Sequence, residues 1–185
     1  MSIQSKYCSA QTVNDSVLIN SEFKWSIVIP EGFIAVNQDT ISKMVDRGTT
    51  LMENTTNQKV ENNSTHIFFF KSNRFNYFES LSQPFDTLVD GNFIDANHQV
   101  GNILYNTFSS QLKNAEVDTS YSFEKIDGLN FLKFKLKIKY PNNFVFNFIN
   151  YNRIFEKKEF TVNIMYVDDI KGALMLNAWK KSKFR

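Results

Sequence analysis

The chain has 185 residues, 42% of them hydrophobic and 22% charged, with a formal net charge of +2. That is enough for one domain with a real core, and it excludes both a disordered chain and the strongly basic balance of a dedicated nucleic-acid binder. A single cysteine, Cys8, excludes an intrachain disulfide and a cysteine metal cluster, and two histidines, His66 and His98, restrict metal and general-base chemistry. Lysine outnumbers arginine 17 to 4 and there are 22 asparagines. This bias reads as genome composition, so the glycosylation-type triplets at Asn54, Asn62 and Asn63 carry little weight.

No run reaches the roughly 18 apolar residues of a membrane-spanning helix. The start, Met1 to Cys8, is polar, unlike a signal-peptide core. The expected compartment is cytoplasmic for the sequence as it stands, and periplasmic or lipid-anchored if a signal peptide has been trimmed. Residues 1–14 read as a mobile N-terminal tail and 15–185 as a single α+β domain.

In chain order, Phe23, Trp25, Ile27 and Ile29 alternate on one face of a strand stopped by Pro30 and Gly32, with Val17 to Ile19 as a short partner. From Asp39, a fair N-cap, Ile41, Met44, Val45, Gly48, Leu51 and Met52 fall on one helical face. The Asn- and Thr-rich stretch Asn54 to Thr65 reads as a loop. His66 to Phe70 is a strand apolar enough for burial on both faces, which Phe75, Tyr77 and Phe78 continue or follow after a turn. Phe93, Ala96, Val100, Leu104, Phe108 and Leu112 define a long amphipathic helix from about Asn92 to Asn114.

Asp127-Gly128 is a two-residue hairpin turn. Pairing across it sets Val117, Thr119, Tyr121 and Phe123 opposite Ile138, Leu136, Phe134 and Leu132 on one apolar face, expected to be buried. On the other face Glu116 meets Lys139 and Asp118 meets Lys137, so both faces support one register. Phe144, Phe146 and Phe148 then alternate, while Ile149 and Tyr151 take the opposite parity: a bulge, a switch of face or burial on both sides. Glu156 to Glu159 makes a turn, and Phe160, Val162, Ile164 and Tyr166 a fourth strand. A last helix capped by Asp168 runs to about Lys181, with Ile170, Leu174 and Ala178 inward. The fold class is α+β, an antiparallel β-sheet meander flanked by helices.

The stretch Trp25-Ser26-Ile27-Val28-Ile29-Pro30-Glu31-Gly32-Phe33 resembles the opening of PsbP-like domains, a superfamily that includes DcrB-like bacterial proteins and a Ran-binding nuclear-import factor. A helix near Gln111-Leu112, the hairpin through Asp127-Gly128 into Phe131, the meander and a last helix ending in Ser182-Lys183-Phe184 are similar too. The resemblance implies an αβα sandwich that binds proteins and is mostly not an enzyme. The relatives' partners include a photosystem core, a small GTPase and membrane-spanning segments of secreted effectors. No family site is carried onto these residues.

Asp95, His98 and Asn102 share a helix face, but no second ligand pair accompanies them, and a polar solvent face is the expectation. His66 lacks a nucleophile with defined spacing. Lys133, Lys135, Lys137 and Lys139 form a stripe on one strand face, largely compensated by the acids opposite. With Phe75, Tyr77 and Phe78 these lysines are the candidate partner surface. The expectation is a non-catalytic protein-interaction module, such as an adaptor, chaperone or envelope accessory protein, with no cofactor, no metal and no nucleic acid. The alternatives are a carrier of a small apolar ligand between sheet and helix, and a hydrolase using His66 or His98.

Overall fold

The computed structural model describes residues 12–14, 17–37, 39–42, 63–112 and 114–185. Its elements are β1 (Thr12–Asn14), β2 (Val17–Asn20), β3 (Trp25–Val28), β4 (Ile34–Ala35), β5 (Thr65–Asn73), β6 (Asn76–Pro84), α1 (Phe93–Gln111), β7 (Glu116–Ile126), β8 (Leu129–Lys139), β9 (Val145–Phe155), β10 (Lys158–Tyr166), α2 (Asp169–Lys181) and β11 (Lys183–Phe184). They build a seven-stranded sheet ordered β4-β5-β6-β10-β9-β8-β7 and a four-stranded sheet ordered β1-β2-β3-β11. Every pairing is antiparallel. The chain is therefore α+β, as expected. Pairing begins at Thr12, opposite Ile19, inside the stretch read as a tail. Cys8 and the helical positions from Met44 to Met52 lie outside the described residues, as does most of the Asn-rich loop.

The β7–β8 hairpin follows the register that its sequence dictates. Asp127 and Gly128 both take positive φ, 47° and 83°, as a type I′ turn demands. Val117 pairs with Ile138, Tyr121 with Phe134 and Phe123 with Leu132. Because successive side chains alternate across a strand, β8 sends Leu132, Phe134, Leu136 and Ile138 to one face of the large sheet and Phe131 to the other.

Helix α1 covers the first face at β7 and β8, where Leu104, Phe108 and Leu112 pack on Phe134, Leu136 and Ile138. Helix α2 and the small sheet cover the second face. There Trp25, Phe68, Phe70, Phe78, Phe131, Tyr151, Phe160 and Trp179 form a fully buried aromatic core. Its rings meet in edge-to-face, tilted and stacked pairs, the edge-to-face ones including Trp25–Phe160, with centroids 5.0 Å apart at 86°, and Phe131–Trp179, 5.1 Å apart at 81°. Such geometry sets positive ring edges on negative ring faces. The buried indole N–H groups of Trp25 and Trp179 have no hydrogen-bond partner among the described residues.

Of the three alternatives for strand β9, burial on both sides is the one that forms: its registers with β8 and β10 are continuous, without a bulge, and Tyr151 and Asn152 are buried on opposite faces. Four details differ from the expectations. On α1 the inward line is Asn97, Gly101, Leu104 and Phe108, so Val100 is exposed. Gly101 explains the rotation, since a Cβ there would stand 1.7 Å from Tyr121 Oη and only glycine lets helix and sheet approach. On α2 the buried residues are Gly172, Met175 and Trp179, while Ile170 is 73% exposed. Asn37, not Asp39, caps the helical residues 39–42, accepting the Thr40 N–H at 2.9 Å. Finally, Val117, Thr119, Tyr121 and Phe123 are not all buried: Thr119 is exposed and Phe123 is 63% exposed, because β7 is an edge strand and only Val117 and Tyr121 of the four pack into the cluster beneath α1.

The chain end ties the layers together. Asp127 accepts the Phe184 N–H and the Lys183 ammonium, each at 2.9 Å. Those two hydrogen bonds, Phe184 first, hold its carboxyl below the usual aspartate range.

Candidate functional site: an edge strand and a helix–sheet crevice

The expected partner surface does not form one patch. Phe78 is fully buried and stacked on Phe70 at 4.6 Å. Tyr77, on the opposite face of β6, stacks on Phe69, and burial followed by the nearby Glu79 charge pushes its phenol up to about 12. Only Phe75, in the β5–β6 turn beneath the Arg74 guanidinium, is exposed. The lysine stripe splits as well. Lys135, Lys137 and Lys139 are exposed, with Lys139 3.6 Å from Glu116. The Lys133 side chain is 12% exposed and committed to structure. It bonds Glu124 and lies 5.4 Å from the Tyr151 ring centroid.

That cluster joins three strands to α2. Glu124 accepts from Lys133 and, at 3.1 Å each, from Lys180 and the Tyr151 hydroxyl. Desolvation pushes the Glu124 carboxyl up, but the Lys133 and Lys180 bonds, the Lys133 charge and the Tyr151 hydroxyl outweigh it, so the group sits below its ordinary value. Burial, then Glu124 itself, drives the Tyr151 phenol well above its ordinary value.

The two histidines lie on different elements, and each leans on a neighbour. His66 Nδ1 is 3.1 Å from Glu79 Oε1. The His98 ring stands 4.2 Å from the Tyr121 ring, whose hydroxyl donates to the His98 carbonyl at 3.4 Å. Asp95 and Asn102 face solvent, so the Asp95–His98–Asn102 trio does not converge.

Two features escaped the sequence. The first is a crevice of about 260 Å³ between α1 and the middle of the large sheet. It is lined by Gln83, Asn97, Asn150, Asn152, Glu159, Thr161 and Asn163, with apolar walls from Leu81, Val100, Leu104, Phe134 and Phe148. The polar side chains form a ladder. Gln83 and Asn97 donate to Glu159 at 2.7 and 3.1 Å. Asn152 donates to Asn97 at 2.5 Å and to Asn150, and its oxygen accepts from Thr161 at 2.8 Å. Asn150 donates to Asn163 at 2.8 Å, and Asn163 to Glu79 at 3.2 Å. Glu159 belongs to β10 and is buried, not part of the turn its Glu-Lys-Lys-Glu context suggested. The available signal was the parity change in β9, whose α1-facing residues pass from Phe146 and Phe148 to Asn150 and Asn152.

The second is the set of sheet edges. Three end in short strands, β4 with two residues, β1 with three and β11 with two, while β7 runs for eleven. No described strand pairs with the outer side of β7. Phe123 stands exposed on it.

No family model matches the chain, and no curated protein matches its sequence. The two-sheet arrangement, with α1 on one face and α2 on the other, is a PsbP-like fold. The solution structure of cyanobacterial PsbP (CyanoP) from Synechocystis superposes with a TM-score of 0.54 at 12% identity, covering 94% of this chain and 95% of that one. The likeness is one of fold. Among the described residues no helix is long and apolar enough to cross a membrane.

Proposed function

We propose that the chain is a non-catalytic protein-interaction module that takes up an extended segment of a partner protein along the edge of β7 that no described strand pairs. The unequal treatment of the sheet edges carries this reading. Proteins blunt exposed edges with short strands, charge or proline, because a row of unpaired N–H and C=O groups recruits other strands. Here three edges are blunted to two or three residues, while β7 keeps eleven and contains no proline. Two acids of β7, Glu116 and Glu124, are bound by Lys139 and Lys133 of the neighbouring strand, which leaves Asp118 and Lys125 as the exposed charges that guard its eleven residues. Strand addition at such an edge draws affinity from main-chain hydrogen bonds and specificity from alternate side chains. On the α1 face those side chains are Val117, Thr119, Tyr121 and Phe123, which suits a partner segment with an apolar residue opposite Phe123.

The positions of His66 and His98, apart from each other and each against its own neighbour, support the non-catalytic part of the reading. A photo-cross-linking residue tests it. Placed at exposed Ser120 it is expected to give a discrete adduct in cells of the native organism, whereas one at exposed Asn142 in the β8–β9 turn gives none. Absence of an adduct at Ser120, or the same adducts at both sites, contradicts the proposal.

A further inference from the structure

The crevice beneath α1 is a second site with a chemistry of its own. Glu159 is 6% exposed. Among the described residues it has no lysine, arginine or histidine within ion-pair distance. Its charge is met only by the side-chain amides of Gln83 and Asn97, which use two of the roughly four acceptor positions of a carboxylate.

The remaining lining offers more acceptors than donors. Asn97 donates to Glu159 and the Phe93 carbonyl, and Asn152 donates to Asn97 and Asn150, which uses all four of their side-chain N–H bonds. Thr161 donates to Asn152. Gln83, Asn150 and Asn163 each use one of their two side-chain N–H bonds, on Glu159, Asn163 and Glu79. Against those three second N–H bonds stand the second lone pairs of the amide oxygens, the Gln83 carbonyl oxygen and the rest of the Glu159 carboxylate. A buried carboxylate without a cation is costly, and an excess of acceptors around it suits a ligand that brings N–H donors and positive charge.

Among the described residues of the lining, Glu159 is the one carboxylate, with no histidine or cysteine beside it. No three-ligand metal group occurs among the described residues. The apolar walls and the Phe134 and Phe148 rings favour an alkylated cation over a bare ion. At about 260 Å³ the space lies below the roughly 300–1,000 Å³ of drug-sized sites. We propose that this crevice binds a small organic ammonium ion, its nitrogen on Glu159 and its alkyl part against Val100, Leu104 and Phe148. The site is independent of the β7 edge.

The test titrates the protein with n-butylammonium, n-butanol and butyrate at constant ionic strength and follows the side-chain amide resonances of Gln83, Asn97 and Asn152. Saturable shifts are expected with butylammonium and not with the neutral or anionic isostere. Glu159→Gln is expected to weaken binding by about tenfold or more, the worth of a charge-assisted hydrogen bond. Val100→Trp, at an exposed helix position, is expected to block entry without disturbing the fold. The proposal is overturned if butanol or butyrate binds as well, if no saturable shift occurs, or if either variant, folded by circular dichroism, binds butylammonium undiminished. Should Glu159→Gln fail to fold, the Val100→Trp result and the ligand comparison on the unaltered protein decide.

Discussion

Gly101 marks where α1 comes closest to the sheet, and its hydrogen atoms are all that the gap admits. A Cβ would sit 1.7 Å from Tyr121 Oη and 3.0 Å from the Phe134 ring. Gly101→Ala is therefore expected to destabilise the fold by about 1–3 kcal/mol in denaturant melts, despite the better helix propensity of alanine. Tyr121→Phe in the same chain is expected to recover part of that loss, because it removes the atom in the way. At the Glu124 cluster, Lys133→Ala leaves a partly buried carboxylate with fewer partners and is expected to cost about 1–2 kcal/mol, while Lys135→Ala changes stability by under about 0.5 kcal/mol. The same groups set the pH response. Glu124 is depressed on folding, so its contribution is present above the unfolded carboxyl pKa of about 4.3 and is lost as pH falls below it. Tyr77 is raised to about 12. Above the unfolded phenol value of about 10 the unfolded chain ionises first, so stability falls as pH rises towards 12. Melting curves of Tyr77→Phe against pH should show a flatter alkaline limb; an unchanged limb contradicts this assignment.

At the scale of elements, strand β7 has a correct register and an incomplete cover. Phe134 and Phe123 point to the same face, yet Phe134 is 5% exposed beneath α1 and Phe123 is 63% exposed at the edge. Phe134→Ala is expected to cost about 3–5 kcal/mol and Phe123→Ala less than about 1 kcal/mol. Equal losses in urea melts would mean that β7 is covered. The register was legible in the sequence because Asp127-Gly128 fixes the turn and both faces of the hairpin agree on one alignment. That β7 would be an edge was not legible, since position within a sheet depends on strands far away in the chain. The faces of α1 and α2 were missed by a fraction of a turn for a local reason. Gly101, Gly172 and Asn97 point inward, and small or polar residues read as outward by hydropathy. The crevice was hidden for the same reason: Asn150, Asn152, Glu159 and Asn163 are side chains that composition assigns to solvent, and hydrogen bonds among the asparagines and from Gln83 and Asn97 to Glu159 let the sheet bury Asn152 and Glu159 and half-bury the other two.

Across the described residues, helix α2, the small sheet and one face of the large sheet share one aromatic core, helix α1 packs on the other face, and the C-terminal strand closes the core. Phe184 packs on Trp25, Phe155 and Phe160 while its N–H and the neighbouring Lys183 hold Asp127 at the tip of the β7–β8 hairpin. Removing residues 183–185 is expected to lower the melting midpoint and to speed amide exchange in β3, which loses its β11 partner. The PsbP-like likeness accounts for this architecture and leaves the partner to be found through the surface that differs most from an ordinary sheet edge. The most direct measurement compares affinity purifications from the native organism using the unaltered chain and Phe123→Asp, with folding verified by near-ultraviolet circular dichroism. The β7 edge predicts one reproducible partner protein that is lost on substitution. A partner retained at full recovery by folded Phe123→Asp, or no reproducible partner for the unaltered chain, would contradict it.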